Sequence, residues 1–128
     1  MVETSQTEVE VIGAAAMTTL GKPGVTSQQL VWPGNSPDAP VTVTRVTLAP
    51  GAERLRHTHV NAEQIWVVEQ GRADLLLSGE RTRLIQAGEV VRTPPGKLHG
   101  LRNSGGEPFG YRAITTPPVD FRAAYDPR

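Results

Sequence analysis

Turn residues interrupt this 128-residue chain too often for long helices to form. It contains 13 glycines and 11 prolines. From residue 27 onward they break the sequence every ~8–12 residues, the rhythm of short strands joined by tight turns in an antiparallel sandwich or barrel. Between the breaks lie β-branched or alternating runs. Residues 41–48 read V-T-V-T-R-V-T-L and stop at Pro50-Gly51. The pattern predicts strands over 28–32, 41–48, 54–59, 64–69, 73–77, 82–85, 90–93, 99–102 and 109–115. The expected fold is all-β: one antiparallel jelly-roll barrel over residues 21–118, preceded by an arm (1–20) and followed by a tail (119–128). Within the arm, the alternating residues 8–12 either add an edge strand or belong to a loose arm. Within the tail, only 120–125 looks helical, and it is too short to stand alone.

Composition removes several functions. With no cysteine there is no disulfide, no thiolate metal site and no cysteine nucleophile. The 13 basic residues are matched by 13 acidic ones and form no basic block, so a nucleic-acid groove is not expected. The apolar runs are too short to span a bilayer, and residues 14–17 are too short for a signal core. The chain therefore reads as soluble and cytoplasmic. Its length is used up by the barrel and its arms, so no attached DNA-binding segment is expected.

All three histidines fall in two glycine-punctuated motifs, H-T-H at 57–59 and P-P-G-K-L-H-G at 94–100. On a strand, residues two apart face the same side, so His57 and His59 enter together while Arg56 and Thr58 point away. His99 begins a later strand just after a Pro-Gly turn, where its imidazole would complete a three-nitrogen set for a divalent transition metal: Fe, Mn, Ni, Zn or Cu. The alternative is three surface or satisfied core histidines.

Spacing around these histidines separates the two readings. Gly51, five residues, His57, one, His59, four, Gln64, six, Gly71 is followed, with 16 residues between, by Gly88, five, Pro94, one, Gly96, two, His99, three, Asn103. The arrangement resembles the two motifs of the cupin superfamily, over roughly residues 40–116. The resemblance implies a jelly-roll barrel with a metal inside, held by the two motif-one histidines, a motif-one acid or amide, and the motif-two histidine. The family's usual glutamate is replaced here by Gln64, with Glu63 beside it, and only one of the two can face inward. A Gln64 register turns Trp66 and Val68 inward. A Glu63 register would bury Glu69 without a partner, which is costly, so Gln64 is favoured. An amide leaves the metal's charge uncompensated where a glutamate would cancel part of it, favouring anionic ligands.

Five further residues are candidates for the pocket. Trp66 shares the inward face of Gln64, and Phe109 and Tyr111 alternate on one strand; ordinary core is the competing role. Arg45, the one charge in its strand, is a candidate for substrate contact or for an outer or dimer face. Tyr111 and Glu63 are candidates for proton transfer, Glu63 alternatively pairing with Arg54 or Arg56. Asn103 is expected to bond nearby backbone in a turn.

These residues predict a metal-dependent enzyme on a small oxygenated substrate, a dioxygenase first. A non-redox isomerase or lyase on a sugar-derived acid and a non-catalytic binding module are the alternatives. Apolar residues on both faces of 65–68 and 75–77 predict a homodimer.

Overall fold

The computed structural model describes residues 8–125. Ten strands form among the described residues: β1 (Thr18–Lys22), β2 (Val25–Val31), β3 (Thr42–Leu48), β4 (Glu53–His57), β5 (Glu63–Gln70), β6 (Arg72–Leu76), β7 (Thr82–Gln86), β8 (Val90–Thr93), β9 (His99–Arg102) and β10 (Phe109–Thr116). A short helix, α1 (Arg122–Tyr125), follows. The strands build two antiparallel sheets, ordered β1-β2-β3-β10-β5-β8 and β4-β9-β6-β7. This is a double-stranded β-helix, the jelly-roll of the sequence expectation. Its two sheets face each other without closing into one hydrogen-bonded ring.

Residues 8–12 carry no strand, in line with the second of the two readings; the edges of the large sheet are β1, further along the chain, and β8. Alternation in E-V-E-V-I gives no stability without a neighbour, and Val9 and Val11 are 96% and 94% exposed. β1 instead gains its partner locally, folding back onto β2 through a turn at Gly24 (φ 78°).

Val25, Leu48, Val68, Phe109, Ile85 and Leu101 fill the space between the sheets at one end. Each fully buried Leu, Ile or Phe side chain contributes roughly 1.5–3 kcal/mol. Phe109 is fully buried in this cluster and does not line the histidine cavity, so its expected substrate contact is replaced by a core role.

Along the large sheet the inner face then changes character. Thr93, Gln64, Thr115 and Thr42 lie side by side across β8, β5, β10 and β3, all buried. A polar layer at this depth is stable only if its members bond one another or a ligand. Gln64 donates to Thr115 Oγ1 at 3.0 Å, and Thr42 Oγ1 bonds both the carbonyl and the N–H of Val119, at 2.8 and 2.9 Å.

Gly71 links β5 to β6 at φ 72°, and a Cβ there would lie 2.4 Å from the Pro108 carbonyl oxygen. Gly88 has φ 96° but open space around the missing Cβ. Gly71→Ala is expected to destabilise the fold by about 1–3 kcal/mol, from strain and clash together. Gly88→Ala bears the strain alone and costs less. Urea-unfolding midpoints of the two variants check the order.

Candidate metal centre

The site is built where β4 pairs with β9. His57 closes β4 and stands opposite His99, the first residue of β9. The chain runs past the strand end to His59, whose carbonyl accepts a hydrogen bond from Gly96 N–H at 2.9 Å. At the other end of the same ladder, Gly51 N–H donates to Asn103 O at 2.7 Å and Asn103 N–H to Ala52 O at 2.9 Å. Asn103, fully buried, donates through Nδ2 to Leu48 O and Glu107 O and accepts from Gly105 N–H through Oδ1. The two glycine-punctuated motifs are thus stitched together at both ends, with the imidazoles between the stitches.

The three rings meet. Ring centroids are 4.6 Å apart for His57 and His99, 5.0 Å for His57 and His59, and 5.5 Å for His59 and His99. One nitrogen from each ring lies within 4.8 Å of the others. Backbone carbonyls set the tautomers: His57 Nδ1 is 2.8 Å from Leu55 O and His99 Nδ1 is 2.9 Å from Lys97 O. A carbonyl can only accept, so each Nδ1 carries the proton and each Nε2 keeps its lone pair for a ligand. The Nε2 of His99 is buried and has no hydrogen-bond partner. A buried acceptor left empty is expensive, and a cation between the three rings satisfies it. The residues present therefore fit a transition metal.

Burial also holds the imidazoles neutral. It pushes His99 down to about 4 and lowers His57 and His59 from the ordinary value, with neighbouring positive charge adding to each. Neutral imidazole is the form that binds metal.

A cavity opens beside the histidines; its enclosed free space is about 30 Å³, room for about one water molecule. A larger cleft of about 480 Å³, bordered by Lys22, Glu53, Arg54, His57, His59 and Phe121, adjoins it. Gln64, Trp66 and Tyr111, all expected near the site, line the enclosed cavity. Gln64 Oε1 accepts the Trp66 indole N–H at 3.0 Å, which fixes the amide's orientation and leaves one oxygen lone pair. Trp66 stacks on Tyr111 with ring centroids 4.7 Å apart. Burial raises the Tyr111 phenol above its usual range, so it keeps its proton.

Two expected residues lie elsewhere. Glu63 is on the outer face and pairs with Arg92 at 2.6 Å, not with Arg54 or Arg56, and the Arg92 hydrogen bond lowers its carboxyl below the usual value. Arg45 is exposed on the outside of β3, because Thr42, Thr44, Val46 and Leu48 take the inward positions. Neither reaches the cavity.

Among the cavity residues that the sequence expectations missed are Arg54, Ser27, Thr44, Phe121 and Tyr125. Strict alternation separates Arg54 from His57, which is three residues on. The structure puts both on the inner side because β4 bulges: Arg54 pairs with Leu101 and His57 with His99, so three steps on β4 match two on β9. Gly100 allows it, since a Cβ there would sit 2.7 Å from Arg54 O and 3.0 Å from Arg56 N. Phe121 and Tyr125 arrive from the tail. Phe121 lies edge-on to His59 at 6.3 Å, and Arg54 donates a hydrogen bond to the Tyr125 hydroxyl.

The lowered imidazole pKa values make stability depend on pH. Below about 6.5 the unfolded chain takes up protons that the folded site refuses. The histidine contribution to the stability of the metal-free protein is expected to fall as pH drops from about 6.5, levelling off below about 4, where His99 is protonated in both states. His99→Gln is expected to make that slope shallower. Thermal melting of both proteins across this range checks it.

Residues 44–114 match the Cupin domain family. An uncharacterised protein of Methanocaldococcus jannaschii is 24% identical over 97 residues, 76% of this chain and 77% of its own. Among solved structures, KdgF from Halomonas sp. superposes with a TM-score of 0.71 at 19% identity, over 87% of this chain and 97% of its own. A predicted oxalate decarboxylase from Thermotoga maritima gives 0.72 at 20% identity, over 84% and 99%. The polyketide cyclase RemF from Streptomyces resistomycificus gives 0.71 at 19%, over 85% and 80%. At these identities the structural likeness is one of fold, and the solved neighbours differ in what they do. The family match, spanning both histidine motifs, establishes that this chain belongs to the cupin family.

Proposed function

We propose that the protein is a metal-dependent enzyme acting on a small oxygenated organic molecule. In this reading His57, His59 and His99 hold one divalent transition ion (Fe, Mn, Ni, Zn or Cu), and Gln64 faces it with the free lone pair of its amide oxygen. The observation that carries it is the buried, partnerless Nε2 of His99, beside two more imidazoles.

The cavity supports non-redox chemistry, isomerisation or elimination, over the dioxygenase reaction. Its lining contains no carboxylate among the described residues. Non-haem iron oxygenases commonly pair two histidines with a carboxylate, whose charge makes the metal a better electron donor. Here the donors are neutral and Arg54 adds a positive charge. A divalent ion in such surroundings supplies Lewis-acid polarisation of a carbonyl or bound water. The chain's own groups supply the rest. Tyr111, protonated at neutral pH, can donate to a substrate oxygen. Trp66 gives a flat apolar wall, and the Ser27 and Thr44 hydroxyls face a polar substrate from the large sheet. Phe121 and His59 border the mouth, through which substrate reaches the imidazoles.

Untagged protein is expected to bind one ion per chain, and His57→Ala and His99→Ala to bind about a tenth or less as tightly, as outer partners alone are worth ~10–100-fold. Metal analysis of dialysed samples reads this directly. Zinc-loaded protein under anaerobic conditions is expected to turn over enediol, β-diketone or hydroxy-acid substrates. Activity only with iron or copper, with oxygen consumed in step, would replace this reading by the dioxygenase. Substrate binding with no turnover under any metal would leave the binding module.

We also infer a homodimer through the outer face of the large sheet. Ile65 and Val67 on β5 are 36% and 37% exposed, and Val90 on the edge strand β8 is 63% exposed. Leu75 and Leu76, by contrast, are covered within the chain itself. Light scattering at micromolar concentration is expected to give twice the chain mass; Val67→Glu, placing a charge in the patch, is expected to halve it.

A further inference from the structure

We propose that Arg54 is the anchor for a carboxylate on the substrate, and that the Tyr125 hydroxyl holds its place until the carboxylate arrives. The proposal rests on reading the cavity as the substrate site and adds the chemical class of what enters it.

Arg54 is a permanent cation, since guanidinium does not lose its proton under any condition a folded protein meets. It is turned into the cavity by the β4 bulge, beside the three imidazoles. A buried or half-buried arginine normally faces an acid, because an unpaired charge away from water is costly. Among the described residues Arg54 has no carboxylate within ion-pairing distance; the exposed neighbour Glu53 makes no ion pair with it. Its hydrogen-bond partner is a neutral phenol, Tyr125. One neutral oxygen against five guanidinium donors leaves most of its capacity unused.

Tyr125 is suited to yield. It ends a single turn of helix, and its ring stays packed in the core cluster at 7% exposure, so only the hydroxyl's one hydrogen bond has to give way. The Arg54 guanidinium at 5.2 Å and the Lys22 ammonium at 5.6 Å from its ring centroid help to keep the ring in place while the hydroxyl is displaced. A carboxylate offers the two oxygens of a bidentate pair in place of one phenol oxygen, and neutralises the charge as well. The anchor lies beside the imidazoles, so a molecule held there by its carboxylate extends its other oxygens toward them.

The test uses metal-free protein, so that it is independent of whether the histidines bind metal. Malonate is titrated by calorimetry, with neutral malonamide as the control. Wild-type protein is expected to bind malonate at least tenfold more tightly than malonamide. Arg54→Gln is expected to lose that preference and Arg54→Lys to keep part of it. Tyr125→Phe, which removes the competing oxygen and keeps the ring, is expected to tighten malonate binding several-fold. Equal affinity for the two compounds, no binding, or a preference that survives Arg54→Gln overturns the proposal. Should Arg54→Gln fail to fold, Tyr125→Phe decides it: unchanged or weakened malonate affinity means that Arg54 serves only to fasten the tail. Binding of malonate through Arg54 by a protein that takes up no metal would leave this inference standing and remove the enzyme reading above.

Discussion

The antiparallel ladder between β4 and β9 is the interaction on which the site depends. It is short, yet it fixes the relative position of two segments some 40 residues apart in sequence. Hydrogen bonds at both ends close it, Gly51 with Asn103 and His59 with Gly96. The bulge between them sets the side-chain directions. Without it a regular two-residue alternation would send Arg54 outward whenever His57 faced inward. The candidate metal ligands and the cavity cation therefore have one common structural cause, and Gly100 leaves room for the bulged backbone. A ladder so constrained keeps its donor atoms in place before any ligand binds, which lowers the ordering cost of binding.

The large sheet divides the interior into two chemical zones. At one end β2, β3, β5 and β10 turn Val25, Leu48, Val68 and Phe109 inward and supply most of the apolar stabilisation. At the other, the same strands turn Ser27, Thr42, Thr44, Gln64 and Thr115 inward. Burying so many polar groups gains nothing for folding and costs free energy wherever a partner is missing. The layer is held together by side-chain bonds such as Trp66 to Gln64 to Thr115, which also orient the cavity wall. Stability is drawn from one end of the barrel and chemistry is assembled at the other.

Much of this was legible in the sequence, for physical reasons that differ by residue. Turn chemistry located the strands from β2 to β10 to within a few residues, because glycine and proline act through the backbone and need no tertiary context. The Gln64 register was legible because burying Glu69 would have been costly; the structure turns Gln64, Trp66 and Val68 inward and leaves Glu63 at the surface. Arg45 was not legible. In V-T-V-T-R-V-T-L both faces carry valine and threonine, so the pattern does not say which is buried, and the polar zone inverts the usual rule by taking threonine inward and leaving Val43 half-exposed. Arg54 was hidden by the bulge, and Phe121 and Tyr125 by the tail, whose position is set by Thr42 gripping Val119. No local pattern announces a long-range contact of that kind.

The tail completes an electrostatic argument that the histidines alone leave open. The three imidazoles are kept neutral by burial, and no acid enters the cavity among the described residues. The field inside is therefore set by Arg54, and an ion held by the imidazoles would add positive charge to it. A cavity with this sign repels cations and gains little from a neutral guest, but stabilises negative charge wherever it resides or develops. Such a field assists reactions in which a carbonyl oxygen becomes an enolate or alkoxide, and it holds an anionic reactant without further machinery. Tyr111, forced by burial to keep its proton, fits the same scheme as a donor to that oxygen. The aromatic tail residues then close over a site whose charge they cannot neutralise, which leaves that role to the molecule that enters.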